Sequence, residues 1–156
     1  MPQRFDLDTI KTKALDEIGQ MVDRFPDITP LLFQKGETLI QEGDQGEEVF
    51  IVLDGMFEVE QAPLRPGDAP THLVRVACDL ESFSIIGEMA YLGDQRRTAT
   101  IRAVLPTHCL RLTPAHIDAI IEGFPMLTRV ICRQFALRLR EANDALRPVR
   151  TAKAKG

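Results

Sequence analysis

Cysteine and aromatic residues are scarce in this sequence of 156 residues, which has three cysteines, one tyrosine and no tryptophan. Cys78, Cys109 and Cys132 are odd in number and far apart, and no Cys-x-x-Cys pair is present. This pattern excludes a disulfide framework, and it forms no zinc-binding motif with the three histidines. We therefore expect free thiols in a reducing compartment.

Long apolar runs are also absent from the sequence. No run approaches the roughly 18 residues that a membrane-spanning helix requires. The N-terminal residues lack the apolar core of a secretory signal. The sequence therefore predicts no membrane span and a cytoplasmic location.

Hydrophobic residues nevertheless make up 44% of the chain, which is enough for one domain with a buried core. The net charge of -4 is unevenly distributed, because residues 129–156 carry eight basic and only two acidic side chains. A basic C-terminal segment on an acidic body suggests an interaction arm. A solvated helix face followed by a frayed tail explains the same pattern.

Apolar periodicity predicts helices at both ends of the chain. Residues 8–25 have apolar side chains at spacings of three and four, which predicts an amphipathic helix that ends before Pro26. Two further helices are predicted at 114–122 and at about 125–146. The last of these carries one apolar stripe: Leu127, Ile131, Phe135, Leu139, Ala142 and Leu146.

Between these helices, short apolar runs alternate with turn residues from Leu31 to Leu112. Asp54-Gly55 separates two of the runs and is a strong signal for a tight hairpin. About eight strands with frequent turns indicate a mainly β fold with flanking helices. We predict an eight-stranded β-jelly-roll, or double-stranded β-helix, with an N-terminal helix and a C-terminal helix pair.

Residues 87–99 interrupt two apolar strands and contain groups suited to binding an anion. Gly87 permits a sharp turn, and Glu88 begins a stretch that can form one helical turn with free N–H groups. Arg97 has a planar guanidinium that donates two parallel charge-assisted hydrogen bonds to a phosphate. By itself the segment is also consistent with a surface turn bearing two solvated arginines.

The segment resembles the phosphate-binding cassette of the cyclic nucleotide-binding domain family, found in catabolite activator proteins, cyclic-nucleotide-dependent kinases and cyclic-nucleotide-gated channels. That cassette reads Gly-Glu-(Leu/Met)-Ala and then Arg-(Ser/Thr/Ala)-Ala. The chain contains both motifs at a matching spacing: Gly87-Glu88-Met89-Ala90 and Arg97-Thr98-Ala99. Residues 35–44 and 49–55 look like the opening strands of the family fold, so the resemblance covers about residues 31–143.

The resemblance implies that the ligand is cAMP or cGMP and that Glu88 accepts a hydrogen bond from the ribose 2′-hydroxyl. Arg97 pairs with the cyclic phosphate. It is preferred over Arg96 because it directly precedes Thr98 and Ala99, and Arg96 is expected to point outward.

Other positions complete the implied site. The phosphate is also held by backbone N–H groups around Met89, Ala90 and Ala99. Thr98 contacts the phosphate or a syn guanine, which leaves cGMP open. Val74 and Val76 either pack on the base or serve as core residues.

The resemblance also divides the chain into three segments. We expect an N-terminal helical segment at 1–30 and a cyclic nucleotide-binding domain with its C-terminal helices at 31–146. A basic flexible tail is expected at 147–156.

The sequence departs from the family pattern in two places. Residues 82–86 read Ser-Phe-Ser-Ile-Ile in place of the family's frequent Gly-Asp or Gly-Gly-Ser approach, so we expect a different pocket entrance. The few residues after the last helix cannot supply the helix-turn-helix domain of a transcription factor. We therefore expect no direct DNA binding.

The function that these observations predict is sensing, not catalysis. Glu88 is a single carboxylate, and no nucleophile has a partner base at readable spacing. We expect nucleotide binding to contract the cassette and to move the C-terminal helices over the base, which relays the signal to an unidentified effector protein. The last helix also has the apolar surface to form a homodimer. Family frequency favours cAMP over cGMP.

Two alternatives belong to other classes of protein. The first is a jelly-roll interaction domain that binds no nucleotide, which Phe83 and Ile85 near the entrance support and which Glu88 and Arg97 oppose. The second is a sensor domain excised from a channel, transporter or kinase. The Met1 start favours a small stand-alone protein.

Overall fold

The computed structural model describes residues 7–69, 72–80, 82–91 and 96–147. Residues 1–6 of the predicted N-terminal segment and 148–156 of the predicted tail lie outside these ranges. The elements in chain order are α1 (Leu7–Arg24), β1 (Thr29–Phe33), β2 (Thr38–Ile40), β3 (Val49–Gln61), β4 (His72–Cys78), β5 (Ser84–Ile86), α2 (Glu88–Tyr91), β6 (Thr100–Ala103), β7 (Thr107–Leu112), α3 (Pro114–Gly123) and α4 (Pro125–Ala145).

The seven antiparallel strands in the described ranges form two sheets that share the long strand β3. The first half of β3 pairs with β5 and β7, and β1 extends this sheet beside β7. The second half of β3 pairs with β4 and β6, and β2 extends that sheet beside β6. Each sheet therefore contains four strand segments, with β3 counted in both. The predicted mainly β jelly-roll with flanking helices is confirmed.

The predicted hairpin at Asp54-Gly55 is wrong, because β3 continues through both residues. Gly55 has φ of 123°, and a Cβ atom there would lie 2.6 Å from the carbonyl oxygen of Pro106. The glycine and an adjacent register shift bend the strand and pass it from one sheet to the other. A residue pair typical of turns thus lies where one strand passes between sheets, because the first half of β3 pairs in one sheet and the second half pairs in the other.

Two apolar cores lie on either side of the first sheet. One packs α1, α3 and α4 against that sheet, with Met21, Ile51 and Leu127 fully buried. The other lies between the two sheets and centres on Phe57 and Val52. The first core joins the helices into one layer that covers the first sheet.

The C-terminal helices begin where the sequence predicts. In the cap of α3, Thr113 Oγ1 accepts the backbone N–H of His116 at 3.4 Å, and His116 Nδ1 accepts the Thr113 N–H at 3.0 Å. Gly123 ends α3, and Pro125 opens α4. The predicted stripe on α4 is buried only at its start, because Leu139 is 63% and Leu146 is 83% exposed.

The N-terminus of α4 is capped from α1. Phe124 precedes the helix and offers no side-chain acceptor. The Glu17 carboxylate of α1 instead accepts the N–H of Met126 at 3.2 Å and of Leu127 at 2.6 Å. Glu17 therefore fixes α1 to the start of α4.

Candidate functional site

The Gly-Glu motif forms a turn between β5 and α2. Gly87 follows β5 with φ of 83°, a left-handed conformation that favours glycine. Glu88 opens α2, the single helical turn that the sequence predicts, and the backbone of Met89 and Ala90 lies in the same turn. Residues 92–95, which include the predicted end of this turn, lie outside the described ranges. The first turn of a helix has N–H groups without intrahelical acceptors, which suits an anion.

A loop between β2 and β3 holds the backbone of Arg97 beside this turn. Gly43 N–H donates to the carbonyl of Arg97 at 2.8 Å, and Arg97 N–H donates to the carbonyl of Asp44 at 2.9 Å. The Arg97 guanidinium then reaches across, with Nη1 3.3 Å from the Gly87 carbonyl and Nη2 2.8 Å from the Glu48 carbonyl. Three of these hydrogen bonds tie Arg97 to the loop between β2 and β3, and the bond to the Gly87 carbonyl joins the two halves of the cassette.

Two glycines leave the space that the guanidinium occupies. A Cβ atom on Gly87 would lie 2.9 Å from Arg97 Nη1, and one on Gly46 would lie 2.8 Å from Nη2. Sequence reasoning identified Gly87 and missed Gly46. The glycine-containing turn at residues 43–46 is the signal that could have suggested a close approach at this position.

The electrostatic surroundings of Arg97 are mixed. Burial lowers the pKa of its guanidinium, and the nearby carboxylates of Glu48, Asp44 and Glu88 act in the opposite direction. The ordinary pKa of arginine is high enough that the group remains charged at neutral pH. A half-buried cation close to α2 is therefore available to an anion.

A cavity of about 300 Å³ lies between the cassette, the second sheet and α4. Its lining brings together seven of the nine predicted site residues: Val74, Val76, Gly87, Glu88, Arg97, Thr98 and Ala99. Met89 and Ala90 adjoin it through the backbone of α2. The volume lies at the lower end of the roughly 300–1,000 Å³ typical of small-molecule sites.

The structure distinguishes the roles of cavity residues that the sequence left open. Val74 is half exposed, whereas Val76 is more buried and packs against the core between the sheets. Val76 is thus both a core and a cavity residue. Arg96 is exposed, as predicted, and it forms an isolated bridge with Gln45 at the rim.

Arg138 of α4 pairs with Glu88 inside the cavity. Arg138 Nη1 lies 2.8 Å from Glu88 Oε1, and both side chains are partly buried. Sequence reasoning missed Arg138, which it counted only among the basic residues of the C-terminal segment. Because the two residues are far apart in the chain, only the docking of α4 brings them together.

The same helix binds the free edge of β5. Gln134 Oε1 accepts the N–H of Ile85 at 2.9 Å, and its Nε2 donates to the carbonyl of Phe83 at 2.6 Å. Arg138 Nη2 donates to Ser84 Oγ at 3.2 Å and to the Ile85 carbonyl. These bonds take the place of a neighbouring strand and hold α4 against the cassette.

The cassette also contacts α3. Tyr91 at the end of α2 donates its hydroxyl to Asp118 of α3 at 2.6 Å. This hydrogen bond, in which the carboxylate accepts, raises the pKa of Tyr91 above its ordinary value. The turn at residues 87–91 is therefore linked to both C-terminal helices.

Other classes of site find no support in the described ranges. No cluster of three or more His, Cys, Asp or Glu side chains among those residues is placed to hold a metal ion. Every helix in that part of the chain is too short or too polar to traverse a lipid bilayer.

A double-sheet jelly-roll with an arginine, a carboxylate and a helical turn around one cavity defines a module for binding a small anionic ligand. The family model named cyclic nucleotide-binding domain matches residues 30–124, which is more than half of the sequence. The chain belongs to the cyclic nucleotide-binding domain family.

Two relatives match this chain over only part of their own length. The chain is 34% identical over 102 residues to the cAMP-dependent protein kinase regulatory subunit of Dictyostelium discoideum, which covers 65% of this chain and 30% of that protein. It is 28% identical over 128 residues to the human potassium/sodium hyperpolarization-activated cyclic nucleotide-gated channel 3. This match covers 80% of this chain and 15% of the channel. The chain thus spans less than a third of either relative.

Solved structures share the fold. The catabolite activator protein of Thermus thermophilus superposes with a TM-score of 0.67 at 24% identity, covering 84% of this chain and 57% of that one. The shared architecture includes the jelly-roll and the flanking helices.

Proposed function

We propose that this chain is a sensor that binds a cyclic nucleotide, with cAMP favoured over cGMP, and passes the signal through α4 to a partner protein. The observation that carries the proposal is the single cavity in which Arg97, Glu88 and the N-terminus of α2 meet beneath α4. The role is binding, and we assign no catalytic residue.

The proposed binding mode uses each group for its chemistry. The cyclic phosphate contacts the Arg97 guanidinium and backbone N–H groups around Met89, Ala90 and Ala99. The ribose 2′-hydroxyl donates to the Glu88 carboxylate. The base lies on the side of the cavity that faces the second sheet and Glu141 of α4. The residues that line this side include Val74, Val76, Thr98 and Ile101.

The preference for cAMP rests on the relatives. One relative is named as a cAMP-dependent regulatory subunit, and a cyclic nucleotide-gated channel is another. The hydroxyl of Thr98 lines the cavity and can hydrogen-bond a guanine, so cGMP remains the second candidate ligand.

The Glu88–Arg138 ion pair suggests how binding is relayed. A ribose hydroxyl that donates to Glu88 competes with Arg138, which weakens one of the contacts that hold α4 on the cassette. The helix then shifts from the β5 edge toward the base. This mechanism requires the nucleotide to bind the shifted state more tightly, because equal affinity for both states shifts nothing.

The proposed partner is another protein, and a second copy of the chain is one candidate. Leu139 and Leu146 on the exposed side of α4 supply an apolar surface for it. We place the protein in the cytoplasm, where cyclic nucleotides and free thiols are both expected.

Calorimetry with cAMP and cGMP tests the binding proposal. We expect Arg97→Ala to weaken binding by at least about 2 kcal/mol, or roughly 30-fold, because it removes a charged hydrogen-bonding partner of the phosphate. Arg65→Ala is the matched control, since it removes the same charge from an exposed loop away from the cavity. The absence of heat with both ligands, or equal affinities for the Arg97 variant and the wild type, would contradict the proposal.

A further inference from the structure

A second groove lies on the other side of Arg138, between α1, the segment before β5 and α4. Its volume is about 400 Å³. The floor is apolar, with Phe83 and Val130 nearly buried and Leu137 41% exposed. None of these three residues lines the nucleotide cavity, and Phe83 is one of the two apolar residues that the sequence predicts near its entrance.

The rim of the groove is cationic. Lys11 of α1 is half-buried, and Arg133 of α4 is exposed on the opposite side. Neither side chain forms an ion pair with any residue in the described ranges. Glu141 is the carboxylate on the lining, so positive charge predominates. A complementary occupant carries both an apolar side chain and negative charge.

The groove and the nucleotide cavity share part of their walls. Val76, Arg138 and Glu141 line both spaces. An anion in the groove therefore attracts the same guanidinium that pairs with Glu88. Attraction of Arg138 into the groove would release Glu88 for a ribose hydroxyl, so the two sites are placed to influence one another.

We propose that this groove docks a short acidic segment of a partner protein. An apolar side chain of that segment packs on Phe83, Val130 and Leu137, and its carboxylates lie between Lys11 and Arg133. The groove is open along the protein surface and is lined by residues of four elements, α1, β4, β5 and α4, which suits a polypeptide. Docking itself is independent of the nucleotide, whereas coupling to nucleotide binding through Arg138 rests on the proposed function.

Fluorescence anisotropy with a defined probe tests the docking. The probe is a fluorescein-labelled peptide, Glu-Leu-Asp-Phe-Glu-Leu, and its charge-reversed control is Lys-Leu-Lys-Phe-Lys-Leu. We expect the acidic peptide to bind the full chain, more tightly at low salt, and the basic peptide not to bind. The double variant Lys11→Gln/Arg133→Gln should weaken binding by roughly tenfold. The matched double variant Lys35→Gln/Arg140→Gln removes the same charge elsewhere and should leave the affinity unchanged.

The docking proposal is overturned if the acidic peptide does not bind, or if both double variants bind it equally. Binding of dodecanoate without binding of the peptide would also overturn it, since the groove would then accept a small amphipathic carboxylate. A second titration adds saturating cAMP. Because coupling is reciprocal, we expect roughly a fivefold or greater change in peptide affinity, which Arg138→Gln abolishes. An unchanged affinity refutes the coupling alone, and failure of cAMP to bind refutes the proposed function while the nucleotide-free peptide result stands.

Discussion

Glu88 and Arg97 could be identified from the sequence because their motif is local. The turn at Gly87, the helical turn after it and the returning arginine lie within one short segment. Arg138 and Gly46 could not be identified in this way, because their roles depend on how distant parts of the chain pack. Arg138 reaches Glu88 only when α4 covers β5, and Gly46 matters only because the Arg97 side chain passes beside it.

The role of Glu88 can be tested with a ligand that lacks the ribose hydroxyl. We expect 2′-deoxy-cAMP to bind the wild-type chain roughly tenfold more weakly than cAMP, because a hydrogen bond to a charged carboxylate is lost. Glu88→Gln should bind both ligands with similar affinities, whereas the control Glu122→Gln on the exposed face of α3 should behave as wild type. Equal affinities of the two ligands for the wild type would remove the ribose role from Glu88.

Buried thiols make the stability of the fold depend on pH. Burial raises the pKa of Cys109 to about 12 and of Cys78 to about 11, from an ordinary value of 9.0. Each thiol is neutral when protonated, so its contribution to stability is complete below pH 9. The contribution falls as the pH rises toward the folded-state values, because the unfolded chain releases these protons first.

We therefore expect the free energy of unfolding to decrease as the pH is raised from about 9 to about 10.5. Cys109→Ala should reduce the slope of this decrease, although it also lowers stability at every pH by leaving a small cavity. Cys132 is exposed, so Cys132→Ala serves as the control and should leave the slope unchanged. Urea denaturation at several pH values measures these slopes, and identical slopes for both variants would contradict the account.

The elements show what periodicity and turn signals can and cannot predict. The bounds of α1, α3 and α4 follow from apolar spacing, capping and proline, and the structure confirms them to within one or two residues. The Asp54-Gly55 signal was misleading, because a glycine with a positive φ can form either a hairpin turn or a bend that carries a strand from one sheet to another. Turn chemistry fixes the conformation of one residue, and the pairing of the strands on either side decides where the chain goes next.

The cap of α4 is a second element-scale feature without a sequence signal. Glu17 accepts two N–H groups at the start of α4, so we expect Glu17→Ala to lower the free energy of unfolding by about 1 kcal/mol. Asp16→Ala removes a neighbouring exposed carboxylate of α1 and should change stability far less. Urea denaturation compares the two variants, and equal losses would show that Glu17 has no capping role.

At the scale of the whole molecule, the order of motifs predicted the family and the mainly β architecture. The sequence did not show how α4 is seated, because its contacts with the cassette involve polar side chains that carry no periodic signal. Gln134 and Arg138 satisfy the edge of β5, and Glu17 joins α1 to the same helix. The helical layer therefore moves as a connected unit if nucleotide binding displaces α4. Dimerisation through the exposed part of α4 stays a prediction.

Nucleotide binding at Arg97 is proposed to shift α4 away from the β5 edge. Residue-resolved amide exchange with and without saturating cAMP tests both parts at once. We predict slower exchange in α2, where the phosphate is held, and faster exchange at the Ile85 N–H, which loses its bond to Gln134. Arg97→Ala at the same cAMP concentration should suppress both changes. Unchanged exchange at α2 and at Ile85 under saturating cAMP would contradict the account.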